Sequence, residues 1–453
     1  MSQIQQKHNP QITRSLANHA MGLTFKALPA EVVEVAKHCL LDWIGVALAG
    51  SKEPLTQILI DQVKADGGAA QATLIGDGRK VNMAQAALIN GSASHALDFD
   101  DVQERFHGHP SAPVAPVVLA LAEWHGASGE DILTAFVAGV EVECRLNVFM
   151  GDSHYVRGWH STATNGTFGA AVGASRMRGF DGEKCALAMG IAGTQAAGLR
   201  SMFGTMCKPL HAGKAAQNGL FAAQLVERGF TSRPDVLEAP LGFGATQSDA
   251  PDAVAGLAGL GEGFEVRDVL FKYHAACHGV HATIEAILAI QAKAHLDPAD
   301  IEQVEVAVHS DYLNICGIET PSTGLEGKFS LRFCAAVALV GQNTARIDTY
   351  SDDNVKNPVL VGLFERIAIV PKPDMQMKVA AVSVRTKDGA IHREVYDVGV
   401  PEKDLTRQWQ KLVAKFRGCA EPVIGKERAG KVIEAVRTLD KAKDVSSLIK
   451  AWA

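Results

Sequence analysis

Ile301-Glu302-Gln303-Val304-Glu305-Val306-Ala307-Val308-His309 alternates apolar and polar residues at period two. This is the pattern of a half-buried β-strand, whose successive side chains point to opposite faces. A second signal follows downstream. The runs Met377–Thr386 and Ile391–Tyr396 flank Lys387-Asp388-Gly389, and an Asp-Gly turn between two alternating runs predicts a hairpin. The chain before residue 267 reads differently. Residues 11–50 carry helical periodicity, with Leu16, Ala20 and Leu23 in one run. The run from Pro29 to Ala49 is apolar all round, which marks a buried helix. Residues 83–97 form a small-residue helix that delivers His95 and Asp98 at its C-terminal end. Pro113 and Pro116 suit the first turn of the next helix, and Ser128-Gly129-Glu130-Asp131 opens one over 129–150. Gly/Ala-rich helices follow over 166–179 and 213–227, and 234–266 reads as the rim of a domain. A helical tail from about 402 to 453 returns to the first domain. The fold class is therefore mainly α with an α+β second domain: residues 1–266 and 399–453 are helical, and 267–398 form the α+β unit.

At 453 residues the chain exceeds what one hydrophobic core serves, which also argues for two domains. Apolar residues make up 47% and charged residues 21%, ordinary for a well-packed globular protein. The net charge of −6 gives no footprint for nucleic acid. The eight cysteines contain no C-x-x-C pair, so neither a zinc ribbon nor a thioredoxin-like site is expected, and a reducing compartment fits. The N-terminus is polar, without the apolar core of a secretion signal, and no apolar run is long enough to span a membrane. The expected location is cytoplasmic.

Five polar islands interrupt the apolar pattern. They are His95–Ser111, His154–Thr162, Arg200–Lys214, Phe271–His281 and Lys328-Phe329-Ser330. Each has a structural reading beside a functional one. His95 can close a helix C-terminus, and Asp100 or Asp101 can cap the next turn. His125, His274, His295, His309 and His392 sit in ordinary surroundings, and Arg157 reads as a surface residue. His95, Asp98, His107 and His109 could suit a zinc or iron site, but no recognised metal spacing is present and the other islands carry Lys and Arg, which repel cations. There is no G-x-S-x-G elbow for acyl transfer and no phosphate-binding loop. What uses all five islands is acid–base chemistry on a small anion. Removing a proton beside a carboxylate leaves an unstable carbanion, and fixed cations lower that cost.

The motifs resemble the MmgE/PrpD family, which includes 2-methylcitrate dehydratase, cis-aconitate decarboxylase and iminodisuccinate epimerase. The matching residues are His95-Ala-Leu-Asp98-Phe-Asp-Asp101, Gly108-His109-Pro-Ser111, His154-Tyr155 and Gly158-Trp159-His160-Ser-Thr162. To these are added Phe203-Gly-Thr-Met206, Lys208-Pro-Leu-His211-Ala-Gly213, Lys272 with Cys277 and His281, and Lys328-Phe-Ser330. The resemblance implies a lid domain inserted into a helical one, a homodimer, and a site that needs no cofactor; the residues themselves give no expectation of a metal. In decarboxylase-type members it implies site residues at Asp98, His109, His160, Lys208 and Lys272. Val102 stands where that type has a threonine, and Cys277 where it has a further site histidine; both weigh against decarboxylation.

The expected function is a cofactor-independent, dehydratase-like lyase acting on a small di- or tricarboxylate. Epimerisation of an amino- or imino-dicarboxylate by two bases is the alternative, and an inert carboxylate-binding relative the third reading. Asp98, His109, His160, Tyr155, Lys208 and Lys272 are the expected catalytic residues, with His160 and Tyr155 as base and acid. His107, Arg200, His211, Cys277, His281 and Ser330 are expected to contact substrate. The only expected partners are a carboxylate substrate and a second copy of the chain, with no nucleic acid and no membrane.

Overall fold

The computed structural model describes residues 11–453. The chain divides into two compact units, one made of residues up to Phe271 together with Asp404–Ala453, the other of Lys272–Lys403. Among the described residues no helix is long and apolar enough to cross a membrane.

The first unit is helical. Its main helices are α1 (Ile12–Gly22), α2 (Ala30–Gly50), α3 (Pro54–Asp66), α4 (Met83–His95), α5 (Ser111–His125), α6 (Gly129–Val156), α7 (Ser161–Met177), α8 (Gly182–Gly193) and α9 (Cys207–Glu227). Helix α2 is buried on every side from Val35 to Gly50, as its all-round apolar sequence requires. Small residues let α4, α5, α7 and α9 approach closely; a Cβ on Gly91 of α4 would lie 3.0 Å from the Cα of Gly213 in α9. The long helix Leu405–Arg437 packs on α2 and carries Lys415, whose ammonium is buried 2.5 Å from Asp42 Oδ1 and 2.6 Å from the Phe99 carbonyl. Breaking such a buried pair from one side costs about 3–5 kcal/mol, so it fastens this helix to α2.

Three helix expectations are corrected. Helix α5 begins at Ser111, so Pro116 lies inside it rather than in its first turn. Helix α6 continues past residue 150 through a kink at Gly151 (φ +63°), which carries His154 and Tyr155 on its last turns. The 234–266 segment contains two short helices, Phe243–Gln247 and Ala253–Leu257.

The second unit holds a four-stranded mixed sheet. Strand β1 is Ile301–His309, β2 is Ile367–Lys372, β3 is Val379–Thr386 and β4 is Ile391–Asp397, in the order β2-β1-β3-β4. The expected strand and hairpin are all present, with Val384 opposite His392 and Gly389 at φ +89° in the turn. Strand β2 was not anticipated. It pairs parallel to β1, Val304 facing Ile367. Parallel neighbours are joined by a long crossover and leave no turn signature in the sequence. Helices His281–Ala294 and Leu331–Leu339 complete this unit.

Candidate active site

Helix α4 stops at His95, and the chain leaves it through Asp98, whose backbone is left-handed at φ +49°. The next residues turn inward, and Asp100 and Asp101 are completely buried. A buried carboxylate needs partners. Asp100 finds two: His95 Nδ1 donates to it at 2.9 Å, and His109 Nδ1 lies 3.2 Å away. Burial alone would push the Asp100 pKa up, but the two imidazoles outweigh it and hold the carboxyl well below its usual range. Burial depresses the pKa of His95.

His109 is anchored by its backbone N–H, which donates to Thr162 Oγ1 at 3.1 Å. Its Nε2 lies 3.4 Å from Asp98 Oδ1, and Lys208 donates to the same oxygen at 2.8 Å. Lys208 stands on the first turn of α9, over the ring of Phe203. His160 caps the other side. It precedes α7, its ring stacks 5.9 Å from that of His95, and its Nδ1 lies 3.1 Å from Nδ1 of His211. One of these two nitrogens donates and the other accepts, so the tautomer of one ring sets that of the other. Burial, and next the nearby His95 and Lys208, push the His160 pKa well below the ordinary imidazole value, leaving a neutral ring at pH 7.

One side chain behind this group is an unusual acid. Asp101 receives the Ser111 hydroxyl at 2.5 Å, and burial, helped by Asp42, pushes its pKa up to about 8. Glu143, on α6, is also pushed well above the usual range by burial, and among the described residues neither of its carboxyl oxygens has a hydrogen-bond partner.

The structure thus brings Asp98, His109, His160, Lys208 and His211 into one cluster. Tyr155, Arg200 and His107 form a second group. The Arg200 guanidinium lies 3.8 Å over the Tyr155 ring and donates to the Tyr155 carbonyl, while the exposed His107 meets that ring edge-on. His154, between these motifs, uses both ring nitrogens on Gln247 and Thr164, a structural role. In the second unit Lys272 is buried, and the Cys277 backbone N–H donates to the Lys328 carbonyl. His281 is buried against the Ala276 carbonyl. Ser330 is buried and caps Leu331–Leu339 through the Phe333 N–H, so its hydroxyl serves the framework of this unit.

Sequence reading gave His95 and Asp100 capping or supporting roles; the structure pairs them as a fully buried imidazole–carboxylate contact. The signal was available: two ionisable groups at spacing i,i+5 across a helix end, in an apolar setting that could not hold either unpaired. One ligand atom each from His95, Asp98, Asp100 and His109 lies within 4.8 Å of the others, a spacing a divalent cation could use. The Lys208 ammonium on Asp98 competes for that place, so the site fits a cation poorly.

With this geometry in hand, comparison with known proteins is decisive. The MmgE/PrpD N-terminal domain matches residues 14–254, and the MmgE/PrpD C-terminal domain matches 274–441. The chain belongs to the MmgE/PrpD family. Among curated proteins, this family member is similar to cis-aconitate decarboxylase from Homo sapiens, 28% identical over 96% of this chain and 93% of the relative. It is also similar to the proteins of that name from Aspergillus terreus, 26% identical over 97% and 95%, and from Mus musculus, 27% identical over 97% and 93%.

Proposed function

We propose that this MmgE/PrpD protein is a lyase that acts on a small tricarboxylate by moving a proton at a carbon beside a carboxylate, with dehydratase-like elimination as the outcome. The observation that carries the reading is a neutral, buried His160 in one cluster with Lys208. A base that is uncharged at neutral pH can take a proton, and an ammonium with two further N–H donors can hold the carboxylate next to which charge develops. His160 and His211 share a hydrogen bond, so a proton taken on the far nitrogen of His160 can be balanced by exchange with His211. Lys208 is the carboxylate holder, Asp98 and His109 fix its position, and Asp100 holds His95 and His109 in orientation. Tyr155, with its ring under the Arg200 guanidinium, is assigned as the acid.

The printed names of the relatives favour a second reading, decarboxylation, and they are the reason a tricarboxylate is preferred over a dicarboxylate. Val102 and Cys277 stand against it, since neither supplies the hydroxyl or imidazole of the decarboxylase pattern. Incubating the purified protein in D2O with citrate-like, aconitate-like and amino-dicarboxylate acids separates the possibilities. Alkene formation with deuterium exchange supports elimination, carbon dioxide release supports decarboxylation, and exchange without net product supports epimerisation. If no acid in the panel shows exchange, alkene or carbon dioxide, the lyase reading fails.

A further inference from the structure

His109 and His160 reach the candidate site from separate pieces of chain. His160 is the residue before α7, and His109 ends the loop 103–109. That loop is shaped partly from within. The Gln103 N–H donates to the Gly108 carbonyl at 3.0 Å, and the Gln103 side-chain oxygen accepts from the Phe106 N–H at 2.7 Å. These bonds fold the loop on itself but do not set it against α7.

One buried side chain makes that connection. Asn147 lies on α6, and its Nδ2 donates to the Arg105 carbonyl at 2.8 Å, four residues before His109. Its Oδ1 accepts two bonds from α7, from Ser161 Oγ at 3.0 Å and from Asn165 Nδ2 at 2.8 Å. Residues 161 and 165 are four apart, so they share a helix face. The amide has one sense only. The Arg105 carbonyl can only accept, so the nitrogen must face the loop and the oxygen must face α7. A single planar group thus spans the residue next to His160 and the middle of the loop that carries His109. Thr162 adds the second tie, accepting the His109 N–H at 3.1 Å. An apolar side chain at 147 would fill the space, but only an amide with these three partners also fixes direction.

We propose that Asn147 is a positioning residue that sets the His109 loop and the His160 end of α7 relative to one another. It acts through the two histidines rather than on substrate, and its kinetic consequences rest on the base assigned under the lyase reading.

The test uses the full-length protein and has one arm that needs no substrate. Deuterium exchange at the imidazole C2–H, read by mass spectrometry of peptides, reports the surroundings of each histidine separately. In Asn147→Leu, His109 and His160 should exchange severalfold faster. His38, buried in α2 of the same unit, and His281, in the other unit, should keep their wild-type rates. The milder Asn165→Ala, which removes one bond from α7, should move the same two histidines by less. On a confirmed substrate, Asn147→Leu should lower kcat about 10- to 100-fold with KM little changed. Added to His160→Ala it should cost little more, because residues acting as a unit are not additive. If no acid is turned over, the lyase reading fails while the exchange rates still decide the role of Asn147. Unchanged rates at His109 and His160 overturn the proposal. So does a rise at His38 equal to theirs, which would mean general loosening, or a full further loss of kcat in the double variant.

Discussion

Lys208 holds its ammonium 2.8 Å from Asp98 Oδ1, joining the first turn of α9 to the loop after α4 across 110 residues of sequence. The lysine is only partly exposed, whereas Asp98 is half open to solvent, so a substrate carboxylate approaches a cation that is already oriented. Replacing Lys208 with Met should raise KM for the confirmed substrate about 10- to 100-fold, the equivalent of one charge-assisted hydrogen bond, with a smaller change in kcat. Steady-state kinetics checks this, and an unchanged KM removes Lys208 from carboxylate binding.

His160 should behave as a base that stays neutral through the physiological range. Because its pKa lies well below 6.5, the acid limb of kcat/KM should begin below pH 6.5, and the profile should be flat from there to neutrality. His160→Ala should lower kcat by about 10²–10⁴-fold and abolish that limb. An acid limb centred above pH 6.5 in the wild type would contradict the assignment.

Asp100→Asn keeps the shape of the side chain but removes the charge that two imidazoles share. As Asp100 acts through His95 and His109, the expected signature is a fall in kcat of about tenfold with KM little changed and the acid limb displaced; weakened hydrogen bonds to a charged group cost about 1.5–3 kcal/mol. A variant that loses stability but keeps both the wild-type pH profile and kcat would mean that Asp100 is purely structural.

Asp101 makes a prediction about stability. Its folded pKa, about 8, is above the unfolded value of 3.8, so the folded state holds the extra proton between those limits. Its contribution is present at low pH and is lost as pH rises toward 8. The buried histidines act oppositely, since their lowered pKa values favour the folded state as pH rises to 6.5. Between pH 6.5 and 8 the raised carboxyls, Asp101 and Glu143, act without that opposition, and stability should fall by about 1–2 kcal/mol through Asp101. Asp101→Asn, which mimics the protonated acid toward Ser111, should flatten this decline in urea titrations performed at a series of pH values.

The parts of the fold that were legible share one property: the pattern that signals them is local. Strand β1 occupies the residues that alternate, the Asp-Gly turn sits where the hairpin closes, and α2 is buried where its sequence is apolar all round. Strand β2 escaped because Ile367–Lys372 is short, contains Pro371, and takes its partner from the far end of a crossover. The extension of α6 escaped because Gly151 reads as a stop and instead acts as a kink. At the candidate site, Lys208, His109 and Asp98 stood out as polar groups among small apolar residues. His95 and Asp100 did not, because whether such a pair caps a helix or buries a charge depends on the direction the chain takes after residue 95. Ser330 shows the converse ambiguity: its hydroxyl caps Leu331–Leu339, and an N-cap hydroxyl and a ligand-binding hydroxyl look alike in a sequence.

Two side chains in this region, Asp98 and His107, ride on left-handed backbone, at φ +49° and +50°. For a residue with a Cβ that conformation costs on the order of 1–2 kcal/mol, a penalty glycine would not carry. A glycine at 98 would therefore relax the loop while deleting the carboxylate that Lys208 and His109 share. The most stable version of this loop and the chemically equipped one are different sequences, and a screen for thermostability alone would be drawn toward the version without chemistry.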